Sequence, residues 1–158
     1  MKTRVMAGVF LIKDGKTLLI HRNKDKKLAP NVWSCIGGHM KPQELNDPEA
    51  TCYRELFEET GITNHMIKNL RLKYITYQII NNEIQIGYCY FGDMINEYVL
   101  PSCNEGTLHW VDIADITKKA MSLVVTQIVL HWLSNPEDNE VYVGTVNKES
   151  NIVTWAAL

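Results

Sequence analysis

The strongest structural constraint in this sequence is a pair of start and stop signals around residues 48–60. Asp47 is a favourable N-cap, and Pro48 suits the first helical position, where its missing N–H is not needed. Glu49 lies in the first turn, where the helix dipole favours an acid. Gly61 can adopt the left-handed conformation that ends a helix. The sequence therefore predicts a helix of about thirteen residues that ends at a glycine.

One side of this predicted helix carries carboxylates. At about 100° per residue, Glu55, Glu58 and Glu59 fall within one narrow sector. The opposite side carries five other residues: Ala50, Tyr53, Leu56, Phe57 and Thr60. A solvated acidic face, with Arg54 and Lys41 as counterions, is the ordinary interpretation of such a charge run. However, like charges at these spacings destabilise a helix by roughly 0.2–0.5 kcal/mol per pair, and closely held oxygen ligands are what Mg²⁺ or Mn²⁺ binds. A sequence that accepts this repulsion without any gain in folding stability indicates a functional site.

The spacing around these acids resembles the signature of the Nudix hydrolase family. That signature runs Gly, a short spacer, Glu, a second spacer, and then Arg-Glu-U-x-Glu-Glu-x-Gly-U, where U is a bulky aliphatic residue. All specified positions are filled here: Gly38, Glu44, Arg54, Glu55, Leu56, Glu58, Glu59, Gly61 and Ile62. The chain departs from the family in the second spacer, which has nine residues in place of seven between Glu44 and Arg54. The extra pair falls within 45–47, before the helix, so it affects the placement of Glu44 more than that of the helical acids.

The resemblance implies hydrolysis of a nucleoside diphosphate linked to a further moiety, with Mg²⁺ or Mn²⁺ as the cofactor. The metal ligands it implies are the Gly37 carbonyl and the side chains of Glu55, Glu58, Glu59 and Glu105. Glu105 enters this set because it lies a few residues before a strand that contains Trp110, as a loop acid does in many family members. Arg54 is expected to orient the carboxylates by charge-assisted hydrogen bonds. The general base stays open among Glu58, Glu105 and Glu44.

Three residues near the glycine turn are candidates for substrate contact. Arg22 opens a basic loop, 22–27, which is either solvated or a phosphate-contacting rim. Gly38 permits close backbone approach of a phosphate or a metal. Trp33, on a short predicted strand at 32–36, is expected in the core or the cleft wall, and an indole there could also stack on a nucleobase.

The rest of the chain alternates strands with turn signals. The predicted strands cover 5–12, 17–20, 32–36, 70–80, 83–91 and 108–111, a second helix covers 122–133, and a final hairpin covers 140–146 and 151–156. Asp14-Gly15 and Asn81-Asn82 are the predicted hairpin turns. These elements predict an α/β (α+β) fold with a central mixed sheet covered on both faces. The resemblance implies the Nudix α/β/α sandwich, as a single domain over 1–158.

The amino-acid composition limits the kinds of binding partner and cellular location that we expect. A net charge of −2 provides no field for a long polyanion, so we expect no nucleic acid polymer as a partner. A small, metal-bound anionic substrate is compatible with this charge, and the resemblance implies that it is a nucleotide or a related diphosphate. An apolar run at 5–12 ends at Lys13-Asp14-Gly15, without a cleavage site, and no stretch is long enough to span a bilayer. The four cysteines form no C-x-x-C pair, which favours reduced thiols in a cytoplasmic protein. The oligomeric state stays open.

Two further hypotheses belong to other classes. A nucleotide-sensing module could keep the fold without turnover, although such modules have damaged signatures and this signature is intact. A diphosphate isomerase would need a catalytic Cys35 or Cys52, and neither lies in a sequence context that lowers a thiol pKa. For the hydrolase, an oxidised nucleotide such as 8-oxo-dGTP is the first substrate hypothesis, with nucleotide sugars, ADP-ribose and dinucleoside polyphosphates left open.

Overall fold

The structure is a computed structural model that describes residues 1–27 and 29–158. Its strands are β1 (Lys2–Lys13), β2 (Lys16–Arg22), β3 (Trp33–Ser34), β4 (Ile36–His39), β5 (Ile67–Ile80), β6 (Glu83–Met94), β7 (Gly106–Asp112), β8 (Tyr142–Asn147) and β9 (Ile152–Ala157). Its α-helices are α1 (Pro48–Thr60) and α2 (Leu123–Ser134). Short 3₁₀ helices occupy Pro42–Glu44, Asn64–Met66 and Ile113–Lys118.

The strands of the described residues form one mixed sheet, as the sequence predicts. The order β3-β2-β1-β6-β5-β8-β9 runs across it, with β4 paired to β1 and β7 paired to β2. Strand pairs β1/β6 and β5/β8 are parallel, and the others are antiparallel. One edge of β1 is shared: β2 pairs with its end, at Ile12 and Lys13, while β4 pairs with its middle, from Met6 to Val9. This divided edge places the glycine-containing strand β4 beside helix α1, which packs against β1 and β4.

Two apolar clusters lie on opposite faces of the sheet. Alternate residues of β1 point to alternate faces, because successive side chains of a strand do so. Val9 and Leu11 join Leu56 of α1 in one cluster, whereas Phe10 joins Ile128 and Trp132 of α2 in the other. The sheet is therefore covered on both faces, and the prediction of an α/β/α arrangement is confirmed.

Helix α1 has the predicted ends. The Asp47 side chain accepts a hydrogen bond from the Ala50 N–H at 3.1 Å, and Gly61 adopts φ 75° and donates to the Phe57 carbonyl. Phe57, on the side of the helix opposite the acids, is 59% exposed. The buried stripe instead follows Cys52, Leu56 and Thr60, at i, i+4 and i+8. Consequently the inner edge of the helix includes Glu55 and Glu59.

Both predicted hairpin turns are present. Asp14 and Gly15 have positive φ, and so do Asn81 and Asn82, as expected for the two-residue turns that match strand twist. The predicted strand at 32–36 is divided at Cys35 into β3 and β4, which pair with different strands. Helix α2 is capped by Ser122, which accepts from the Val125 N–H. Within 1–27 and 29–158, no helix is long and apolar enough to cross a membrane.

Candidate active site

Arg54 makes hydrogen bonds to most of the groups that form the site. Its Nε and Nη2 donate to the two oxygens of Glu44 at 2.7 and 2.9 Å, and its Nη1 donates to Glu55 at 2.6 Å and Glu58 at 3.1 Å. Nη2 also donates to the His39 carbonyl, at 2.9 Å, at the end of β4. Glu44 first, and then Glu55, raise the pKa of Arg54 further above its ordinary value. One guanidinium thus joins the loop, the helix and the glycine strand through charge-assisted hydrogen bonds.

Glu44 reaches Arg54 despite the lengthened spacer. Its carboxylate also accepts from the Lys41 N–H and from the Thr51 hydroxyl, each at 2.9 Å. The Arg54 bonds, followed by the Lys41 N–H, lower the pKa of Glu44 to about 2. With donors on both oxygens, Glu44 is placed to fix Arg54.

The glycine strand makes room for Glu55. A Cβ on Gly38 would lie 2.5 Å from the Glu55 carboxyl carbon, a distance that real Cβ contacts essentially never show. A Cβ on Gly37 would lie 2.3 Å from the Ala7 carbonyl oxygen, so this glycine permits β4 to approach β1 closely. The structure thus shows Gly38 leaving space for an acid of α1, where we expected space for a ligand.

The three helical acids differ in environment. The Glu55 side chain is 14% exposed, Glu58 is 50% exposed, and Glu58 lies 3.9 Å from Lys41 Nζ. Glu59 points inward, and its Oε2 is buried without a hydrogen-bond partner among the described residues. Burial, together with the charges of Glu55, Glu105 and Glu58, raises the pKa of Glu59 to about 8, while the charge of Arg22 opposes this rise.

Glu105 directly precedes strand β7. Its carboxylate lies 3.1 Å from Lys26 Nζ and 4.0 Å from Arg22 Nη2. The charge of Glu105 contributes to the raised pKa of Glu59, so Glu105 interacts electrostatically with the acids of α1. The structure therefore brings Glu44, Arg54, the helical acids, Glu105 and Arg22 together.

Trp33 lies elsewhere. Its ring stacks on His21 at 4.7 Å, contacts His109 at 5.0 Å, and carries Lys119 Nζ 4.4 Å from its centre. It packs with the cluster on the α2 face, whereas α1 covers the other face. Trp33 thus belongs to the apolar packing on the α2 side, and among the described residues it is not part of the hydrogen-bond network around Arg54.

The donor set suits a hard divalent cation. Carboxylate oxygens are the ligands that Mg²⁺ and Mn²⁺ prefer, and an unpartnered, buried Glu59 oxygen beside other acids is what a cation would satisfy. Yet no group of three or more His, Cys, Asp or Glu residues within 1–27 and 29–158 is already arranged to hold a metal. Arg54 explains part of this, because it engages Glu55 and Glu58. The residues fit the ion in chemistry, since Arg54 binds one oxygen of Glu55 and one of Glu58 and leaves each carboxylate a second oxygen.

Several contributors were missed from the sequence. The Thr51 hydroxyl, the His39 carbonyl and the pairing of Lys26 with Glu105 all join segments distant in the chain. Lys26 was included only as part of a basic loop. The pairing of Lys26 with Glu105 follows from the register of β2 and β7, which sets Arg22 opposite Gly106. A prediction of that register would have been needed to identify the pair.

Comparisons with known proteins agree with this geometry. The family model described as NUDIX domain matches residues 2–133. The mutator MutT protein from Bacillus halodurans superposes with a TM-score of 0.74 at 20% identity, covering 98% of this chain and 97% of that one. A MutT NUDIX hydrolase from Burkholderia pseudomallei gives 0.64 at 24% identity, covering 83% and 98%. An Ap4A hydrolase from C. elegans gives 0.65 at 16% identity, covering 85% and 96%.

The fold and the site define a Nudix hydrolase. Because the family model spans most of the chain, the chain belongs to the NUDIX family, and its enzyme class is that of the Nudix pyrophosphohydrolases. The identity to each solved structure named above is below 25%, so those likenesses establish the fold.

Proposed function

We propose that this protein hydrolyses the pyrophosphate linkage of a nucleoside di- or triphosphate derivative, with Mg²⁺ or Mn²⁺ bound by the acids of α1. The observation that carries the proposal is the group formed by Arg54 with Glu44, Glu55 and Glu58 beside the unpartnered oxygen of Glu59. A bound divalent ion would supply charge neutralisation at the phosphates and orientation of water.

We assign three roles to residues of the chain: metal ligands, positioning of those ligands, and phosphate contact. Glu55, Glu58, Glu59 and Glu105 supply carboxylate oxygens for the ion, and the Gly37 carbonyl adds a neutral ligand. Arg54 holds Glu55 and Glu58 in position from the helix, and Glu44 with the His39 carbonyl holds Arg54. Arg22, at the end of β2 beside Glu105, contacts phosphate oxygens with its forked donors.

The general base belongs to Glu58 or Glu105. Both carboxylates are partly exposed, at 50% and 39%, so water reaches them. Glu44 fits this role less well, because its oxygens accept hydrogen bonds from Arg54, Lys41 and Thr51 and its pKa is lowered to about 2. A carboxylate with so low a pKa is a poor proton acceptor at neutral pH.

For the substrate we propose a small nucleotide, with 8-oxo-dGTP as the first candidate. The alternative is a dinucleoside polyphosphate, which the name of the Ap4A hydrolase favours. Trp33 is left out of the proposed nucleobase contacts, because it packs on the α2 face of the sheet whereas α1, which carries the acids, covers the other face. The site suits no nucleic acid polymer, given the net charge of −2. A cytoplasmic location, which four free cysteines favour, belongs to the same proposal.

The test is a substrate panel with product identification. Purified protein is incubated with Mg²⁺ and 8-oxo-dGTP, dGTP, a nucleotide sugar, ADP-ribose or Ap4A, and the products are separated by anion exchange. We expect cleavage of a pyrophosphate linkage in at least one compound and a loss of about 10²-fold or more in kcat for Glu58→Gln. Absence of turnover for every compound, or a Glu58→Gln variant as active as the wild type, would contradict the proposal. Tight nucleotide binding without phosphate release would instead favour the nucleotide-sensing module.

A further inference from the structure

The Glu105 backbone is fixed in place. Its carbonyl accepts from the Asn23 N–H at 3.0 Å, and the Asn23 side chain donates to the Asn104 carbonyl at 3.0 Å. Next in the chain, Gly106 pairs with Arg22 across β2 and β7. The start of β7 is therefore anchored to the end of β2 by contacts that do not involve the Glu105 side chain.

The Glu105 side chain is held differently, by an ion pair with Lys26. Lys26 Nζ lies 3.1 Å from Glu105 Oε1, and the two side chains are 29% and 39% exposed. Ion pairs of this exposure contribute little to stability, because water solvates both charges and two side chains must be immobilised. The pair can therefore exchange partners at little cost in free energy.

Each member of the pair suits one part of a metal–polyphosphate complex. The lysine ammonium is a compact charge that binds phosphate oxygens, and the carboxylate is a ligand for a hard divalent cation. Before substrate binds, the same carboxylate repels Glu59, which already faces Glu55 and Glu58. By neutralising Glu105, Lys26 reduces the repulsion within this group of acids.

We propose that Lys26 is a phosphate-binding residue that shields Glu105 until substrate arrives. On binding, Lys26 moves to the polyphosphate, and Glu105 is released to the metal side of the site. This rests on the proposed function for the substrate class, and it adds a residue and an exchange of ion pairs to it. Lys26 acts on substrate directly and on Glu105 as a positioning residue.

The kinetic test compares Lys26→Met with Lys26→Arg and with a matched control, Lys118→Met. Lys118 also pairs with a carboxylate, Asp115 at 2.5 Å, but lies in the 3₁₀ helix at Ile113–Lys118. We expect KM to rise about tenfold in Lys26→Met with kcat little changed, the pattern of lost ground-state binding. Lys26→Arg keeps the charge and should stay within about threefold of wild type, and Lys118→Met should match wild type.

A second readout needs no catalysis. Mn²⁺ affinity without nucleotide, measured by electron paramagnetic resonance, should rise about threefold or more in Lys26→Met, because Glu105 then loses its 3.1 Å ion pair and keeps only the longer, 4.0 Å approach to Arg22 among the described ion pairs. This gain should vanish in the double variant Lys26→Met/Glu105→Gln. An unchanged KM, or an unchanged or weaker Mn²⁺ affinity in Lys26→Met, overturns the inference. If the wild type hydrolyses no nucleotide, the proposed function fails separately, and the Mn²⁺ titration still decides whether Lys26 shields Glu105.

Discussion

Replacing Gly38 with alanine should lower activity by about 10²-fold while leaving the fold nearly intact. The added Cβ would lie 2.5 Å from the Glu55 carboxyl carbon and 2.6 Å from both of its oxygens, so the carboxylate must move. The atoms it meets are the end of a flexible side chain. Gly38 also lacks a positive φ, so alanine can adopt its backbone conformation.

The expected losses of stability and activity follow from the contacts that Glu55 loses when it moves. Displacing Glu55 breaks its 2.6 Å hydrogen bond from Arg54 Nη1. Since water can solvate the displaced carboxylate again, we expect a loss of about 1 kcal/mol in the free energy of unfolding. A shift of about 1 Å in a group that positions reactants lowers activity by about 10²-fold, equal to about 2.7 kcal/mol in the activation free energy.

Gly15 supplies a matched control for this prediction. It has φ 72° with nothing within 4 Å of an added Cβ, so Gly15→Ala introduces backbone strain without a clash. We expect it to lose about 1–2 kcal/mol in stability and to keep wild-type kcat/KM. Urea unfolding and kcat/KM are measured for both variants. Wild-type activity in Gly38→Ala, or a stability loss far greater than in Gly15→Ala, would refute the reasoning.

Further predictions address the helix cap, pH and metal. Asp47→Ala should lower the free energy of unfolding by about 1 kcal/mol in urea titrations, because the helix loses its N-cap acceptor, and an unchanged midpoint would contradict that role. Burial lowers the pKa of His131, which is hydrogen-bonded to the Tyr74 hydroxyl at 3.0 Å. The folded state therefore disfavours the charged ring: this contribution to stability is complete above pH 6.5 and decreases as pH falls below it. Thermal unfolding from pH 7 to 5 should show a shallower slope for His131→Gln than for wild type, and parallel slopes would contradict the assignment. Mg²⁺ at about 100 times its Kd should stabilise the protein by about 2.7 kcal/mol, and Glu59→Gln should lose most of this; an equal shift in both proteins would exclude Glu59 as a ligand.

Sequence reasoning succeeded where the determinants are local. The limits of α1 follow from Asp47, Pro48 and Gly61, each of which acts through its own backbone neighbours. The hairpin turn at Asn81-Asn82 succeeded for the same reason, since both residues tolerate positive φ. The order of acids along α1 also survives folding, because helical spacing alone sets their angular positions.

Other features depend on contacts between distant segments. The stripe of α1 that packs, Cys52, Leu56 and Thr60, is selected by contacts with the sheet, whereas Phe57 is 59% exposed. The face of Trp33 depends on its pairing with His21 across β2 and β3, and no short-range pattern fixes that register. The Lys26–Glu105 pair joins residues 79 apart in sequence.

Direct titration of the metal site tests the central claim, that the acids of α1 hold a divalent ion. Mn²⁺ binding is measured by electron paramagnetic resonance for the wild type, Glu55→Gln and Glu59→Gln, each shown to be folded by circular dichroism. The account predicts saturable binding by the wild type and at least about tenfold weaker binding by each variant, as expected when a carboxylate ligand is lost. Equal Mn²⁺ affinity in all three proteins would contradict it.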